Sequence, residues 1–544
     1  MLHDLLQRPQ GTIRYLSSTI QNELIATLAT ALERRLVTDI NNAPFYSVIT
    51  DTTQDVAKID QLSQTIRYIK VTHDDNGRPT DIQIKESFIG FYKCKSQTAA
   101  DMSEQIVQIL QAKGIFLEQC RGQGYDGASS MSGVYSGVQK RILDRQPLAV
   151  YVHCASHNLN LVMNDAVSTA RDIEAFFSLL QELYKFFGHS IRRWDLLSSI
   201  TGESTITLKK LNPTRWAGRL TTLMGIKFRY CDIQKALSCL VLNHNSRSER
   251  DEATHLRAAT QTFEFVLLIV VLSKVLSTIN VASVCLQSKE VDLLRATQHL
   301  QTALKEISAY RNKFADALNE AKGMCSAWGV EAVFQDKRVA QKKKHFDELC
   351  EDYRLSNSEE RFRVSVFYHL IDTVTSQLTH RFKSMNDITS RFSILFPTVL
   401  AAASEEKIVQ AAEILQKHYS CDLSNAFPVQ LVMFQTSFKS QIAKLTTVQQ
   451  MTHLLIVDYA AVASGFTDVV TAMLLFLTLP VTVASAERSF SKLRLIKSYL
   501  RSTMGQDRLR GLALLSIEAK AAELLETGKL IDDFAHAKAR RKTF

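Results

Sequence analysis

Proline and glycine are scarce in this chain, with 8 and 19 among 544 residues. Long stretches carry neither, so little interrupts helix formation and a mostly helical protein is expected. The nine cysteines are an odd number, scattered, without a C-x-x-C pair. Zinc-ribbon and disulfide-scaffold patterns are therefore absent, and a reducing compartment with thiols serving mainly as core filler is expected. No signal peptide opens the chain, and the most apolar run, Phe265 to Leu272, is interrupted by Lys274 well short of a bilayer span. A soluble protein with no membrane partner follows as the expectation. Acidic residues are outnumbered, 55 against 65 Lys and Arg, for a net charge of +10; this favours a polyanionic partner without establishing one. At 46% hydrophobic and 22% charged residues the composition is that of a globular protein, and 544 residues exceed what one core fills, so two or more lobes are expected.

What is present centres on FYSVITDTT, Phe45 to Thr53. Tyr46, Val48 and Ile49 read as a mostly buried strand that ends on Asp51. A carboxylate at the end of a core strand costs several kcal/mol, on the order of known charge-burial penalties, unless a cation or hydrogen-bond donors offset it. Two readings stand: Asp51 caps a turn through Thr52 and Thr53, or it belongs to a site. Before it, Leu24, Ile25, Leu28, Leu32 and Leu36 recur at helical spacing in a lead-in helix. After it, Gln61–Val71 reads as a second strand, DDNGRP from Asp74 as a hairpin turn, and IQIKESFIGFYKC as a third, giving an antiparallel meander.

Thr98 to Gly114 then has Met102, Ile106, Ile109 and Leu110 on one helical face, with Gly114 as its stop. GQGYDGASSMSGVYSG, residues 122–137, is a Gly/Ser-rich turn around Asp126, followed by the helix VQKRILDRQ and a strand read over AVYVHCASHNLNLV. This order is that of a ribonuclease-H-like α/β domain, in which the strand before Asp126 lies parallel beside the Asp51 strand and brings the two acids near each other. Carboxylates so placed repel, and a shared proton or bound divalent cations resolve the repulsion.

From Val167 to about Val470 the pattern is helical without an internal repeat. PTRW, Pro213 to Trp216, stands in a loop-like setting, and KRVAQKKKH (337–345) and KARRK (538–542) are basic clusters. Such clusters are solvated faces, nuclear-import signals or DNA contacts. In LTLPVTVASAERSFSKLRLIKSYLRSTM, Pro480 ends an apolar run, Ser485 can cap a new helix, and Glu487 lies in its first turn, where the helix dipole alone already favours an anion. Leu493, Ile496, Leu500, Leu509, Leu512 and Leu515 give an apolar face expected to be buried against the helical insertion or another subunit.

Taken together, ITDTTQDVAKIDQLSQTIRYI, GQGYDGASSMSG, HCASHNLNLV, PTRW and the Leu477–Met504 stretch resemble the hAT superfamily of DNA transposases. The first half resembles the branch shared with MYM-type zinc-finger and protein-kinase-inhibitor-repressor-like proteins. The resemblance implies α/β plus all-α architecture: a helical lead-in (1–44), a ribonuclease-H-like catalytic core (45–166), an all-α insertion (167–470), and a C-terminal part of the core with the hAT dimerisation segment (471–544). It implies Asp51, Asp126 and Glu487 as catalytic and metal-binding residues holding two Mg²⁺ or Mn²⁺ ions, and DNA ends and target as partners of a nuclear homodimer or higher oligomer. Trp216 with Arg215, and Lys342, Lys343 and Lys344, would contact DNA; a buried structural role for Trp216 stands beside base stacking. Cys154 and His157 match the family's C-x-x-H pair, read as structural packing because two ligands leave a tetrahedral zinc site incomplete. Family members usually begin with a zinc finger that recognises transposon ends, which this sequence does not show, so end-specific recognition is not expected of it. Two functions follow: a metal-dependent strand transferase, or a domesticated, catalytically inactive DNA- or protein-binding dimer with a regulatory role.

Overall fold

The computed structural model describes residues 17–202, 208–211, 216–243, 246–288, 291–335 and 357–536. Two compact units divide the chain. One combines Met1–His157, Leu286–Thr297 and Ser384–Phe544; the other combines Asn158–Cys285 and Gln298–Lys383. The helical stretch read as a single insertion over 167–470 is therefore split, since 384–470 clusters with the sheet-bearing unit.

The first unit opens with helix α1 (Ser18–Asn41), whose N-cap Ser17 accepts the Ile20 N–H. Its buried stripe is Ala29, Leu32, Leu36 and Ile40, while Leu28 faces solvent, so the stripe is rotated toward the C-terminal end of the expected one. Strands β1 (Tyr46–Gln54), β2 (Asp60–His73) and β3 (Pro79–Lys93) form the antiparallel meander. The β2–β3 turn is closed by the Asp74 carboxylate, which accepts the N–H groups of Asn76 and Arg78. Helix α2 (Ala99–Ala112) is capped by Thr98 and stops at Lys113 before Gly114. Then come β4 (Cys120–Tyr125), α3 (Val138–Arg145), β5 (Val150–His153) and α4 (Ala155–Thr169). The sheet order is β3-β2-β1-β4-β5, with β4 parallel to both β1 and β5.

The strand read over AVYVHCASHNLNLV is only four residues long. Beyond Cys154 the apolar positions Leu159, Val162, Met163 and Ala166 recur every three to four residues and are buried, which is a helical period.

Both sheet faces are covered, which is why β2 is buried on successive residues from Gln61 to Ile69 rather than alternately. On one face Tyr46, Val48, Leu62 and Ile66 pack with Met102, Ile106 and Leu110 of α2 and Ile142 of α3. The other receives α5 (Thr467–Thr478), α6 (Ala484–Ile496) and α7 (Gln506–Ile517) from the C-terminal part of the chain. Leu493, Leu509, Ala513 and Leu514 bury with Phe88 and Phe91 of β3 and Ala29, Leu32 and Leu36 of α1. Of the apolar face expected to await the insertion or a second subunit, Leu493, Ile496, Leu509 and Leu515 are thus used inside this unit, on the lead-in helix and the sheet, while Leu500 stays exposed. Each large side chain so buried contributes about 1.5–3 kcal/mol.

In the second unit every regular element among the described residues is a helix. Its most apolar helix, Phe263–Leu286, is long and apolar enough by length and composition to cross a membrane, as is Ala460–Thr478 in the first unit. The run judged too short is thus one part of a 24-residue helix, because Lys274 stands on a single exposed position. Its most apolar window is 72% buried within the protein.

A buried ion pair closes the first unit. Asp55, in the β1–β2 turn, meets Lys497 at 2.7 Å, and both side chains are almost fully buried. The same carboxylate accepts the N–H groups of Ala57 and Ile59 and the Gln61 amide. Burial pushes the Asp55 carboxyl up, but these donors, Lys497 foremost, outweigh it and hold it below its ordinary value. Its contribution to stability is therefore present above the unfolded carboxyl's pKa, near 3.8, and is lost as pH falls through the lower folded value. Lys497→Met leaves that carboxylate buried without its cation and is expected to cost roughly 3–5 kcal/mol in denaturant unfolding at neutral pH. The penalty should shrink as pH falls below about 4, where Asp55 becomes neutral in the variant; a pH-independent loss would assign the effect to packing.

Candidate functional site

Parallel pairing sets Val48 against Gln123 and Ile49 against Gly124. Asp51 lies two residues beyond Ile49 and Asp126 two beyond Gly124, so each acid follows the last paired residues of neighbouring parallel strands. Asp51 does not end its strand: β1 runs on to Gln54, paired only with β2 beyond the reach of β4. The Asp51 carboxylate accepts the Thr52 N–H at 2.8 Å, and the Asp126 carboxylate the Ala128 N–H at 3.3 Å. Both side chains are partly exposed.

On one face of the sheet Ile49 packs with Cys154, Val483 and Ala486. Glu487 follows directly, in the first turn of α6. Ser485 does not cap that helix. The helix starts one residue earlier, Thr482 Oγ1 accepts the Ala484 N–H, and the Ser485 hydroxyl donates instead to Glu86. Two hydrogen bonds tie α6 to the sheet, from Ser485 to Glu86 and between Ser489 and Ser63. Ser489 and Ser63 share a hydroxyl hydrogen bond at 2.8 Å. Arg488 donates to Ser485 Oγ at 3.0 Å and to the Gln287 carbonyl at 2.9 Å. Beneath them Arg67, 1% exposed, pairs with Glu86 at 2.8 Å and donates to the carbonyls of Leu477 and Val291.

Cys154 lies under this face. Its sulfur accepts the N–H of Val483 at 3.3 Å and of His157 at 3.4 Å, tying the start of α4 to the chain entering α6. Its thiol is pushed up to about 12, first by burial, then by Glu487, and in smaller measure by Asp51. Both carboxylates therefore lie within electrostatic reach of one sulfur. A thiol so disfavoured as thiolate is a poor zinc ligand. His157 stacks on His153 with ring centroids 5.8 Å apart, and His153 on Tyr151 at 6.2 Å.

The glycines of GQGYDG have a steric reason. A Cβ on Gly122 would stand 2.2 Å from Ser47 Oγ and 2.8 Å from Pro480 Cδ, and one on Gly124 would stand 3.2 Å from Pro480 Cβ. Pro480 lies directly on the β4 backbone, and this contact seats the approach to α6 beside the two aspartates.

Asp51, Asp126 and Glu487 thus lie at one end of the parallel strands. They are hard oxygen donors of the kind Mg²⁺ and Mn²⁺ take, and fit such an ion in chemistry. As the side chains stand, no three His, Cys, Asp or Glu among the described residues form a group able to hold an ion. Trp216 is the first residue of the helix Trp216–Asn243, so it opens a helix rather than standing in a loop. Its side chain lies outside the described part, as do Arg215, Lys342, Lys343, Lys344 and the 538–542 cluster. Sequence reasoning missed Arg67 and Glu86; the signal was an arginine set between Ile66 and Tyr68 in the strand-like run QTIRYIKV.

Two family descriptions match the chain: the "ZMYM1/FAM200, RNase-like domain" over residues 3–137, and the "hAT family C-terminal dimerisation region" over residues 438–521. A mouse protein named "52 kDa repressor of the inhibitor of the protein kinase" is 23% identical over 531 residues, covering 92% of this chain and 66% of its own length. The human protein of the same name is 22% identical over 530 residues, covering 92% and 65%. The chain spans about two thirds of the length of these curated relatives. The matched RNase-like stretch carries Asp51 and Asp126 and the matched dimerisation stretch carries Glu487, so at both ends the chain is similar to hAT-derived proteins.

Proposed function

We propose that this is a hAT-transposase-like protein that binds DNA and cleaves and joins its strands, with Asp51, Asp126 and Glu487 as the residues that would hold Mg²⁺ or Mn²⁺. The observation that supports the reading is the parallel pairing of β1 and β4, beyond whose last pair Asp51 and Asp126 follow, with Ile49 packed on Ala486, the residue before Glu487. Two divalent ions held there would supply an activated water or 3′-hydroxyl and stabilisation of the leaving oxygen. The chain's own share is positioning: Asp51 is held by its pairing with Ser63 of β2, and the helix of Glu487 by the Arg67–Glu86–Ser485 network. The sheet order and the return of 384–544 onto it support a ribonuclease-H-like fold interrupted by a helical insertion. The net charge of +10 supports a DNA partner and nuclear residence.

A second reading is the domesticated dimer without catalysis. It is favoured by the lack, among the described residues, of a converged three-ligand group and by relatives that are named as repressors. Manganese separates the two. The enzyme reading expects a saturable stabilisation, about 2.7 kcal/mol at a hundredfold excess over Kd, that Asp51→Asn abolishes, together with metal-dependent nicking and joining of a DNA duplex. Salt-sensitive duplex binding without either effect would select the scaffold. Failure to bind DNA at all would overturn both DNA readings.

Association should use what the internal packing leaves free. Leu495, Tyr499 and Leu500 are 73%, 82% and 92% exposed inside the matched dimerisation region, and a second copy of the chain is their proposed partner. Leu495→Asp with Leu500→Asp is expected to halve the mass measured by light scattering while leaving the melting temperature of the fold in place. An unchanged mass would put the dimer contact elsewhere.

A further inference from the structure

The segment that follows Asp126 is built more tightly than a surface loop requires. The Asp126 carboxylate accepts the Ala128 N–H, and the Ser132 hydroxyl donates back to the carbonyls of Gly127 and Ala128. Gly133 N–H donates to the Ser129 carbonyl, and Gly137 N–H to the Gly133 carbonyl at 3.0 Å. The two glycines touch: a Cβ on Gly137 would stand 2.5 Å from Gly133 N and 2.6 Å from Gly133 O. Any side chain at residue 137 would force this closed turn open. The turn is braced from α3 as well, since the Gln139 amide donates to the Ser132 carbonyl and Arg141 Nε to the Ser136 carbonyl.

What this turn displays is apolar and aromatic. Tyr135, at its apex, is 91% exposed and Val134 beside it 65%. Arg141 is exposed, and its Nε bond to Ser136 fixes the guanidinium beside the turn while its Nη groups remain available to a phosphate. The turn leaves the carboxyl end of β4, the end of a parallel strand at which ligands of α/β sheets bind, and it begins on one of the two aspartates. The hydrogen bonds of the turn order its backbone before any ligand arrives, which lowers the cost of binding at the exposed ring it carries.

We infer that Tyr135 is a stacking platform for an unpaired base of a DNA strand whose backbone passes the Asp51–Asp126 face, with Arg141 contacting an adjacent phosphate. The inference rests on the DNA reading above and adds to it a substrate class: DNA with unpaired nucleotides next to the aspartates. An aromatic face accepts any base, so the contact selects strand state rather than sequence. A fully stacked duplex offers no base face to the ring. Arginine at 141 adds a charge contact that any strand satisfies.

The test uses the full chain, a single-stranded oligonucleotide of about 20 nucleotides carrying 2-aminopurine, the same sequence as a closed duplex, and the same sequence as RNA. Tyr135→Ala is expected to weaken single-strand binding about 5- to 150-fold and to abolish the stacking-dependent quenching of 2-aminopurine, with duplex affinity and melting temperature unchanged. Tyr135→Phe should retain both signals. Arg141→Gln should leave the quenching in place and lower the slope of log affinity against log salt by about 0.7 on the single strand. Unchanged single-strand affinity in Tyr135→Ala, equal losses on strand and duplex, or tighter Tyr135-dependent binding to the RNA would each overturn the inference while the DNA reading of the aspartates stands. Absence of binding to every DNA would remove that reading, and the inference with it.

Discussion

A guanidinium with no access to water governs this fold. Arg67 stands in the middle of β2, and a buried charge is tolerated only with its hydrogen-bonding capacity met. Its partners come from far apart in the sequence: Glu86 on β3, the carbonyl of Val291, and the carbonyl of Leu477 at the end of α5. Glu86 in turn takes the Ser485 hydroxyl of α6. One side chain therefore obliges the meander, the short 286–297 segment and the C-terminal helices to assemble as a single body. The same obligation seats Glu487 over the strand that carries Asp51.

Much of this was legible in the chain. The three strands, the Asp74 turn, the helix capped by Thr98 and the parallel neighbourhood of Asp51 and Asp126 follow from local period, turn chemistry and element order, and those signals are short-range. What was not legible depends on partners hundreds of residues away. Ser485 looks like a cap because serine before an apolar period commonly is one, yet a buried glutamate elsewhere claims its hydroxyl. Nothing near Asp55 announces Lys497, and nothing near Leu509 announces Leu32. The strand at Val150–His153 was drawn too long because four β-branched and aromatic residues merge into an apolar helix without a glycine or proline between them.

The carboxylates and the buried network are separable in principle. Asp51 and Asp126 owe their adjacency to the β1–β4 register, a backbone property that substitution of either acid would leave intact. Glu487 owes its place to packing, through Val483, Ala486 and Cys154 around Ile49. A lineage that lost catalysis would still need Pro480 on the two glycines of β4, and still need Arg67 satisfied. Persistence of these structural residues therefore says nothing about chemistry, whereas the three acids, which take no part in the Pro480 and Arg67 contacts, are the informative positions.

The reach of the Arg67 contacts also has a consequence during synthesis. The Leu477 carbonyl lies 410 residues downstream of Arg67. At about 5–20 residues per second, translation takes roughly 20–80 s to cover that distance. Throughout that interval the emerging strands display a charged position meant for the interior and two apolar faces without their C-terminal covers. The nascent N-terminal half thus waits for its own tail with apolar surface exposed, the condition under which chains are prone to aggregate.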